Sequence, residues 1–118
     1  MAYNEKLADR VREALMDVLN LTEKMMFRGV SFLVNDKMCV SVANDELLCR
    51  IGQQAVEQYC EMDGCRQTVM RGKVMKDFVW ISEEGWQNQK DFQLWIHLSL
   101  AFNSQAKASP KKKKKANE

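Results

Sequence analysis

The chain has 118 residues, of which 46% are hydrophobic, so it can form one domain with a real core and is too apolar to remain disordered. No apolar run approaches the ~20 residues that a membrane helix needs, which excludes a membrane span. The first residues contain no hydrophobic segment typical of a secretory signal, and we therefore expect a cytoplasmic protein.

The net charge of +2 is unevenly distributed along the chain. Residues 104–118 contain six lysines and one glutamate, which give +5, so residues 1–103 sum to −3. A fold that binds nucleic acid normally carries a basic face, and the first 103 residues do not indicate one. We predict a folded domain over residues 1–103 and a disordered lysine-rich tail over residues 104–118.

The tail contains a run of five lysines, which has three interpretations. It is a solvated segment, a weak and sequence-independent attachment to nucleic acid or anionic lipid, or an address signal. The run consists of Lys111, Lys112, Lys113, Lys114 and Lys115.

The first half of the chain predicts one helix followed by strands that are joined by tight turns. Asn4 fits the N-cap position, and apolar residues recur at helical spacing as far as Leu19, which predicts a helix of about four turns. Asn-Asp pairs favour hairpin turns because both residues tolerate left-handed backbone conformations. The predicted strands cover residues 24–27, 31–34, 37–42 and 46–51, with turns at residues 35–36 and 44–45.

The second half predicts a short helix over residues 53–61, strands over residues 66–70 and 77–81, and a terminal helix. Ser82 and the two glutamates after it have helix-start chemistry, and Asn88 offers a second possible cap. One face of the terminal helix is expected to be buried. That face consists of Phe92, Trp95, Ile96, Ser99 and Phe102.

The short links between successive strands indicate the fold class. Parallel neighbours need crossovers of a dozen residues or more, so these strands must pair in the antiparallel sense. The prediction is an α+β two-layer sandwich, with one antiparallel sheet flanked by helices in the order α, three or four β, α, two β, α.

Basic side chains on or beside the predicted strands define a candidate binding groove for an anionic ligand or an acidic peptide. Basic residues along strands are more often simply solvated, so both interpretations stay open. The groove residues are Lys24, Arg28, Arg50 and Lys73.

The sequence offers no catalytic constellation. His97 is the only histidine, and no serine or cysteine can be assigned to it as a nucleophile. The four cysteines lack the paired spacing of a zinc site and are interpreted as reduced thiols. We therefore predict no catalytic residue, no metal and no cofactor. The cysteines are Cys39, Cys49, Cys60 and Cys65.

Several separated sequence blocks carry a family resemblance over about residues 4–103. Met26, Phe27 and Gly29 match a Met-Phe-Gly-Gly opening in which Arg28 replaces the first glycine. Residues 45–52 are similar to an acidic-Leu-x-x-Arg-x-Gly strand, and residues 72–79 to a glycine-basic-x-Met-x-x-aromatic-Val stretch. In this order the blocks resemble the TfoX N-terminal domain family.

The resemblance implies a layered α+β domain of the secretion-chaperone-like kind, and no enzymatic role. In the TfoX/Sxy competence regulators the domain is thought to act by protein contacts in transcription control. We expect no counterpart of the second, helix-hairpin-like domain of those regulators in these 118 residues.

Three function classes follow from these observations. The first is an interaction or regulatory module with an unidentified protein partner or a second copy of itself. The second is a nucleic-acid-associated protein that uses the lysine-rich tail. The third is a small-ligand binder that uses the groove between the sheet and the short middle helix.

Overall fold

The computed structural model describes residues 3–26, 29–70 and 72–104. Within these ranges the chain forms four helices and one sheet of six strands. The helices are α1 (Glu5–Ala14), α2 (Gln53–Tyr59), α3 (Glu83–Trp86) and α4 (Gln89–Asn103). The strands are β1 (Leu21–Met26), β2 (Gly29–Val34), β3 (Lys37–Ala43), β4 (Glu46–Arg50), β5 (Cys65–Met70) and β6 (Lys73–Ile81).

The sheet has the strand order β1-β2-β3-β4-β6-β5, and each neighbouring pair is antiparallel. Asn35 and Asp36 connect β2 to β3 with φ values of 55° and 65°, the left-handed conformation that a two-residue hairpin turn needs. Asn44, before β4, has a φ of 54°. Both predicted hairpin turns are confirmed.

The core lies between the four helices and one face of the sheet, called here the inner face. Side chains directly opposite one another on paired strands share a face, which places Phe32, Val40, Cys49 and Val79 in one inner row. All four belong to the core cluster, together with residues from each helix. The predicted α+β fold is thereby confirmed.

Helix α1 is shorter than predicted, and the expectation that its apolar stripe continues to Leu19 is wrong. The helix ends at Ala14, Val18 is only half-buried and Leu19 is 82% exposed. β-branched Val18 and the asparagine at position 20 are weak helix formers. Asn20 adopts a φ of 61° as the chain turns into β1, which begins at Leu21 and not at Lys24 as predicted.

The terminal helical region consists of two helices. No side-chain bond caps α3 at Ser82, whereas the Asn88 side chain accepts hydrogen bonds from the amides of Lys90 and Asp91 at 2.8 and 3.4 Å. Asn88 is therefore the cap of the long helix α4. Four of the five predicted core residues of α4 are buried, and Phe102 is half-buried.

Helix α1 is fastened to α3 and α4 by Arg10, a role that the sequence pattern does not indicate. Its guanidinium carbon lies 4.1 Å from the ring centroid of Phe92 and 5.6 Å from that of Trp86. The same guanidinium donates to the Trp86 carbonyl at 3.1 Å and to Gln89 Oε1 at 2.9 Å. Stacking and hydrogen bonding by one cation thus join three helices.

Trp95 is the largest fully buried side chain of the core. Its indole N–H donates to the Gly85 carbonyl at 3.0 Å, and its ring meets Tyr59 edge-on with centroids 6.3 Å apart. Replacing it removes both the packing and the hydrogen bond.

We predict that Trp95→Ala lowers the free energy of unfolding by about 3–5 kcal/mol. Trp95→Phe keeps an aromatic ring and should cost less, since it loses mainly the indole hydrogen bond and part of the volume. Urea denaturation followed by circular dichroism measures both. A cost below about 1 kcal/mol for the alanine variant would mean that α4 is not anchored by this ring.

Candidate functional site

The structure describes three of the four predicted groove residues and separates them. Lys24 is exposed on the edge strand β1, Lys73 is exposed at the start of β6, and Arg50 ends β4. Two strands lie between β1 and β4, so the Cα atoms of Lys24 and Arg50 are roughly 14 Å apart or more. Arg28 and residues 111–115 lie outside the described residues, and the groove as a whole stays a prediction.

Arg50 is held by aromatic rings. Its guanidinium carbon lies 5.4 Å from the ring centroid of Phe78 and 5.9 Å from that of Phe102. Gly52, two residues later, has a φ of 90°, and a Cβ there would come within 2.5 Å of the Phe102 ring. These contacts tie the end of β4 to the end of α4, which is a structural role for Arg50.

The face of the sheet opposite the core, called here the outer face, carries one continuous cross-strand row. Directly opposed residues place a lysine and an arginine at its two ends and small or apolar residues between them. The core cluster, to which all four helices contribute, contains none of the residues of this row, so the row belongs to the second surface of a two-layer domain. In strand order the row reads Lys24, Ser31, Ser41, Leu48, Trp80 and Arg66.

Two buried hydroxyls form the centre of this row. Ser31 Oγ and Ser41 Oγ are 2.6 Å apart, and both side chains are closed to solvent. Either hydroxyl can be the donor, and each satisfies the other. A buried polar pair of this kind fixes the register of β2 against β3, because a slip would leave both groups unpaired.

Arg66 forms the best-defined ion pair of the outer face. Its guanidinium donates to both carboxylate oxygens of Glu46 at 2.6 and 2.8 Å and lies 5.8 Å from the Trp80 ring centroid. The pairing with Glu46 raises the pKa of Arg66 above its usual value. Sequence reasoning missed this cluster because its members come from β5, β4 and β6.

A pocket of about 370 Å³ lies between α2 and the last turns of α4. The third function class placed a ligand groove beside this same helix. Its lining is uncharged within the described part of the chain, so a ligand of matching chemistry would be neutral. Amide side chains from α2 face apolar side chains from α4: Gln53, Gln54, Gln58, Leu98, Ala101 and Phe102.

Cys39 and Cys49 are buried thiols, and Cys60 and Cys65 are half-buried. Burial raises the pKa of Cys39 to about 12 and also raises the pKa of Cys49. The pKa of Cys65 is raised to about 12, first by burial and then by the neighbouring Cys60. Thiols that stay protonated at neutral pH are poor nucleophiles and poor metal ligands. His97 is exposed on α4, and no three His, Cys, Asp or Glu residues form a metal-binding group among the residues described.

The fold and its surfaces define a class: an α+β domain with helices on one sheet face, a second face whose central row has charged ends and small or apolar residues between them, and two open sheet edges. The TfoX N-terminal domain family matches residues 13–103, and the chain belongs to this family. The family resemblance is thereby confirmed, and the family is not a known enzyme family.

Neither the curated proteins nor the solved structures contain a significant match to this chain. Over the described ranges, no helix has the length and hydropathy needed to cross a membrane.

The serine pair generates a prediction about stability. Ser31→Ala and Ser41→Ala each leave one buried hydroxyl without a partner, and each should cost about 1–3 kcal/mol. The double alanine variant removes both hydroxyls and should lose less than the sum of the single losses. Urea denaturation of the four proteins gives the coupling energy. Losses that add within ~0.5 kcal/mol would mean that the two hydroxyls do not depend on each other.

Proposed function

We propose that the chain is a non-enzymatic regulatory module that acts by protein–protein contacts in transcription control, in the cytoplasm. Membership in the TfoX N-terminal domain family is the observation that supports this function. In this proposal residues 1–103 form the interacting domain and residues 104–118 a separate lysine-rich tail. The partner is another protein or a second copy of the chain.

The surfaces of the described residues suit binding better than chemistry. The outer face presents fixed charges beside apolar groups, as in the cluster of Arg66, Glu46 and Trp80. Arginine and aromatic side chains are enriched where protein interfaces gain most of their affinity. The thiols of Cys39, Cys49 and Cys65 are held in their unreactive protonated form, because burial raises the pKa of each.

The second candidate function is association with nucleic acid through the tail. The run Lys111–Lys115 favours it, because five adjacent cations can neutralise phosphates without reading any base. In this alternative the folded domain supplies the partner surface and the tail supplies affinity. Both functions can be tested with the full chain and a chain that ends at Asn103.

We predict that both chains retain the same protein partner in a pull-down from nuclease-treated lysate, with bound proteins identified by mass spectrometry. Nuclease treatment removes partners that are bridged by nucleic acid. The thermal midpoint of each chain is measured first, and we expect the two to agree within a few degrees, because in this proposal the core is formed by residues 1–103. Recovery of nucleic acid alone, lost on truncation, would favour the second function.

We predict that the full chain binds duplex DNA weakly and the chain ending at Asn103 does not, since residues 1–103 sum to −3. Five neutralised phosphates give a slope of log affinity against log salt of at most about −4.5. Labelled duplexes of two unrelated sequences at two salt concentrations measure this. Sequence-selective binding that survives truncation would contradict the proposed function.

A further inference from the structure

The hairpin formed by β5 and the first half of β6 is distinct in charge from the rest of the folded chain. Residues 65–76 contain four cations and no acid, which gives +4. Residues 1–103 have a net charge of −3, so residues 1–64 and 77–103 together have a net charge of −7. One of the four cations, Arg71, lies outside the described residues and is not part of the surface defined below.

This hairpin extends past its neighbour in the sheet. β4 pairs with β6 only from Phe78 to Ile81, so the earlier residues of β6 have β5 as their single strand neighbour among the residues described. The register shifts at this point: Gln67 pairs with Val79 and Thr68 pairs with Met75, so residues 76–78 form a bulge that has no partner on β5. At its tip, a Cβ on Gly72 would meet no atom within 4 Å.

Four exposed side chains beyond or beside the bulge define what we call the basic arm. Val69 and Val74 share one face of the hairpin, whereas Lys73 precedes Val74 in the strand and lies on the other face. The fourth, Lys76, lies in the register shift itself. Val69 and Val74 are direct cross-strand partners and are 58% and 44% exposed, so they form an adjacent pair of exposed apolar side chains. Lys73 and Lys76 are exposed and make no ion pair within the described part of the chain. The arm therefore offers both apolar area and uncompensated positive charge.

The strand that carries Val69 is also an open edge of the sheet. β5 is last in the strand order, so the backbone N–H and C=O groups on its outer side have no strand partner among the described residues. The opposite edge, β1, has Glu23 and Lys24 adjacent, and Glu23 binds Arg12 at 2.7 and 2.9 Å. Such mixed charges discourage strand addition, whereas the one charge of β5, Arg66, is already held by Glu46.

We propose that the basic arm and the outer edge of β5 bind an extended acidic segment of a partner protein, which adds to the sheet as a seventh strand. Backbone hydrogen bonds to β5 supply affinity, and side chains on alternate positions supply specificity. Carboxylates of the segment lie beside Lys73 and Lys76, while apolar side chains cover Val69 and Val74. This inference rests on the proposed function, since it names the surface and the partner chemistry of the interaction module.

Charge selects this occupant over a second copy and over DNA. Two β5 edges paired with each other would bring the lysines of both arms together, and like charges across an interface are unfavourable. Duplex DNA is a long polyanion that would pass close to a body of charge −7, within the ~10 Å over which exposed charges interact. A short acidic segment touches only the arm.

The test measures binding of a fluorescein-labelled ten-residue peptide, in which glutamates alternate with valine and threonine, to the full chain by fluorescence anisotropy. We expect Lys73→Glu with Lys76→Glu to weaken binding about tenfold or more, because two attractive charges become repulsive. The matched control, Lys6→Glu with Lys90→Glu, changes the net charge equally at exposed sites on α1 and α4 and should change affinity less than about twofold.

Two further probes separate strand addition from general charge attraction. A peptide with every second backbone nitrogen methylated has the same charge but cannot pair as a strand, and we expect no binding. Val69→Thr keeps the shape of the side chain and the charge of the arm, and should weaken binding about threefold. Circular dichroism and the thermal midpoint establish that each variant is folded.

Three results would overturn the proposal. The methylated peptide could bind as tightly as the unmethylated one, the two double variants could lose the same affinity, or the Lys73 and Lys76 changes could leave the affinity unchanged. Binding of a 20-base-pair duplex is measured as well. If the arm variant loses as much affinity for the duplex as for the peptide, the arm is a nucleic-acid surface and the proposal is overturned. The pull-down tests the proposed function independently of this surface. A protein partner that the arm variant still retains in the pull-down supports an interaction module and removes this surface from it.

Discussion

The packing of Trp95 is the contact on which the helical layer depends. Its buried ring lies edge-on to Tyr59 of α2, and its indole N–H bonds the Gly85 carbonyl of α3 at 3.0 Å. α2 has seven residues and α3 has four, and helices of this length are unstable alone. One side chain of α4 contacts both short helices above the inner face of the sheet, and this packing helps to stabilise them.

This one-sided arrangement determines what is left for function. All four helices contribute to a core on the inner face, which leaves the outer face, the two edge strands and the pocket between α2 and α4 as surfaces that can bind a partner or a ligand. At the centre of the outer face the hydroxyls of Ser31 and Ser41 bond each other, and at one side Arg66 is paired with Glu46. These two sets of polar groups are satisfied within the sheet, whereas the outer sides of the edge strands carry backbone N–H and C=O groups that have no strand partner among the described residues.

Local patterns predicted much of the fold because local chemistry decides those elements. The turn at Asn35 and Asp36 follows from residues that tolerate positive φ, and the start of α4 follows from the cap at Asn88. The end of α1 could not be predicted, because Val18 and Leu19 continue the apolar spacing after the helix has ended. An apolar pattern indicates which residues have a face to bury and does not indicate where the chain must turn toward the sheet.

The candidate site depends on contacts between distant segments, which explains why sequence reasoning found only part of it. Glu46 of β4 and Arg66 of β5 pair across the intervening strand β6. No local sequence pattern encodes this strand order. Lys73 was predicted as a groove residue together with Lys24, yet the structure places it with Lys76 on β6, next to the edge strand β5 and far from β1.

The average charge of the folded residues hides a separation that matters for recognition. A sum of −3 argues against a basic face when it is treated as uniform, but it consists of +4 in residues 65–76 and −7 elsewhere. The lysine run of the tail and the lysines of the basic arm therefore differ in what they can recognise. A run of lysines attracts any polyanion. Lysines held beside an open strand and two exposed valines favour an extended acidic peptide, since only a peptide also supplies backbone partners for β5.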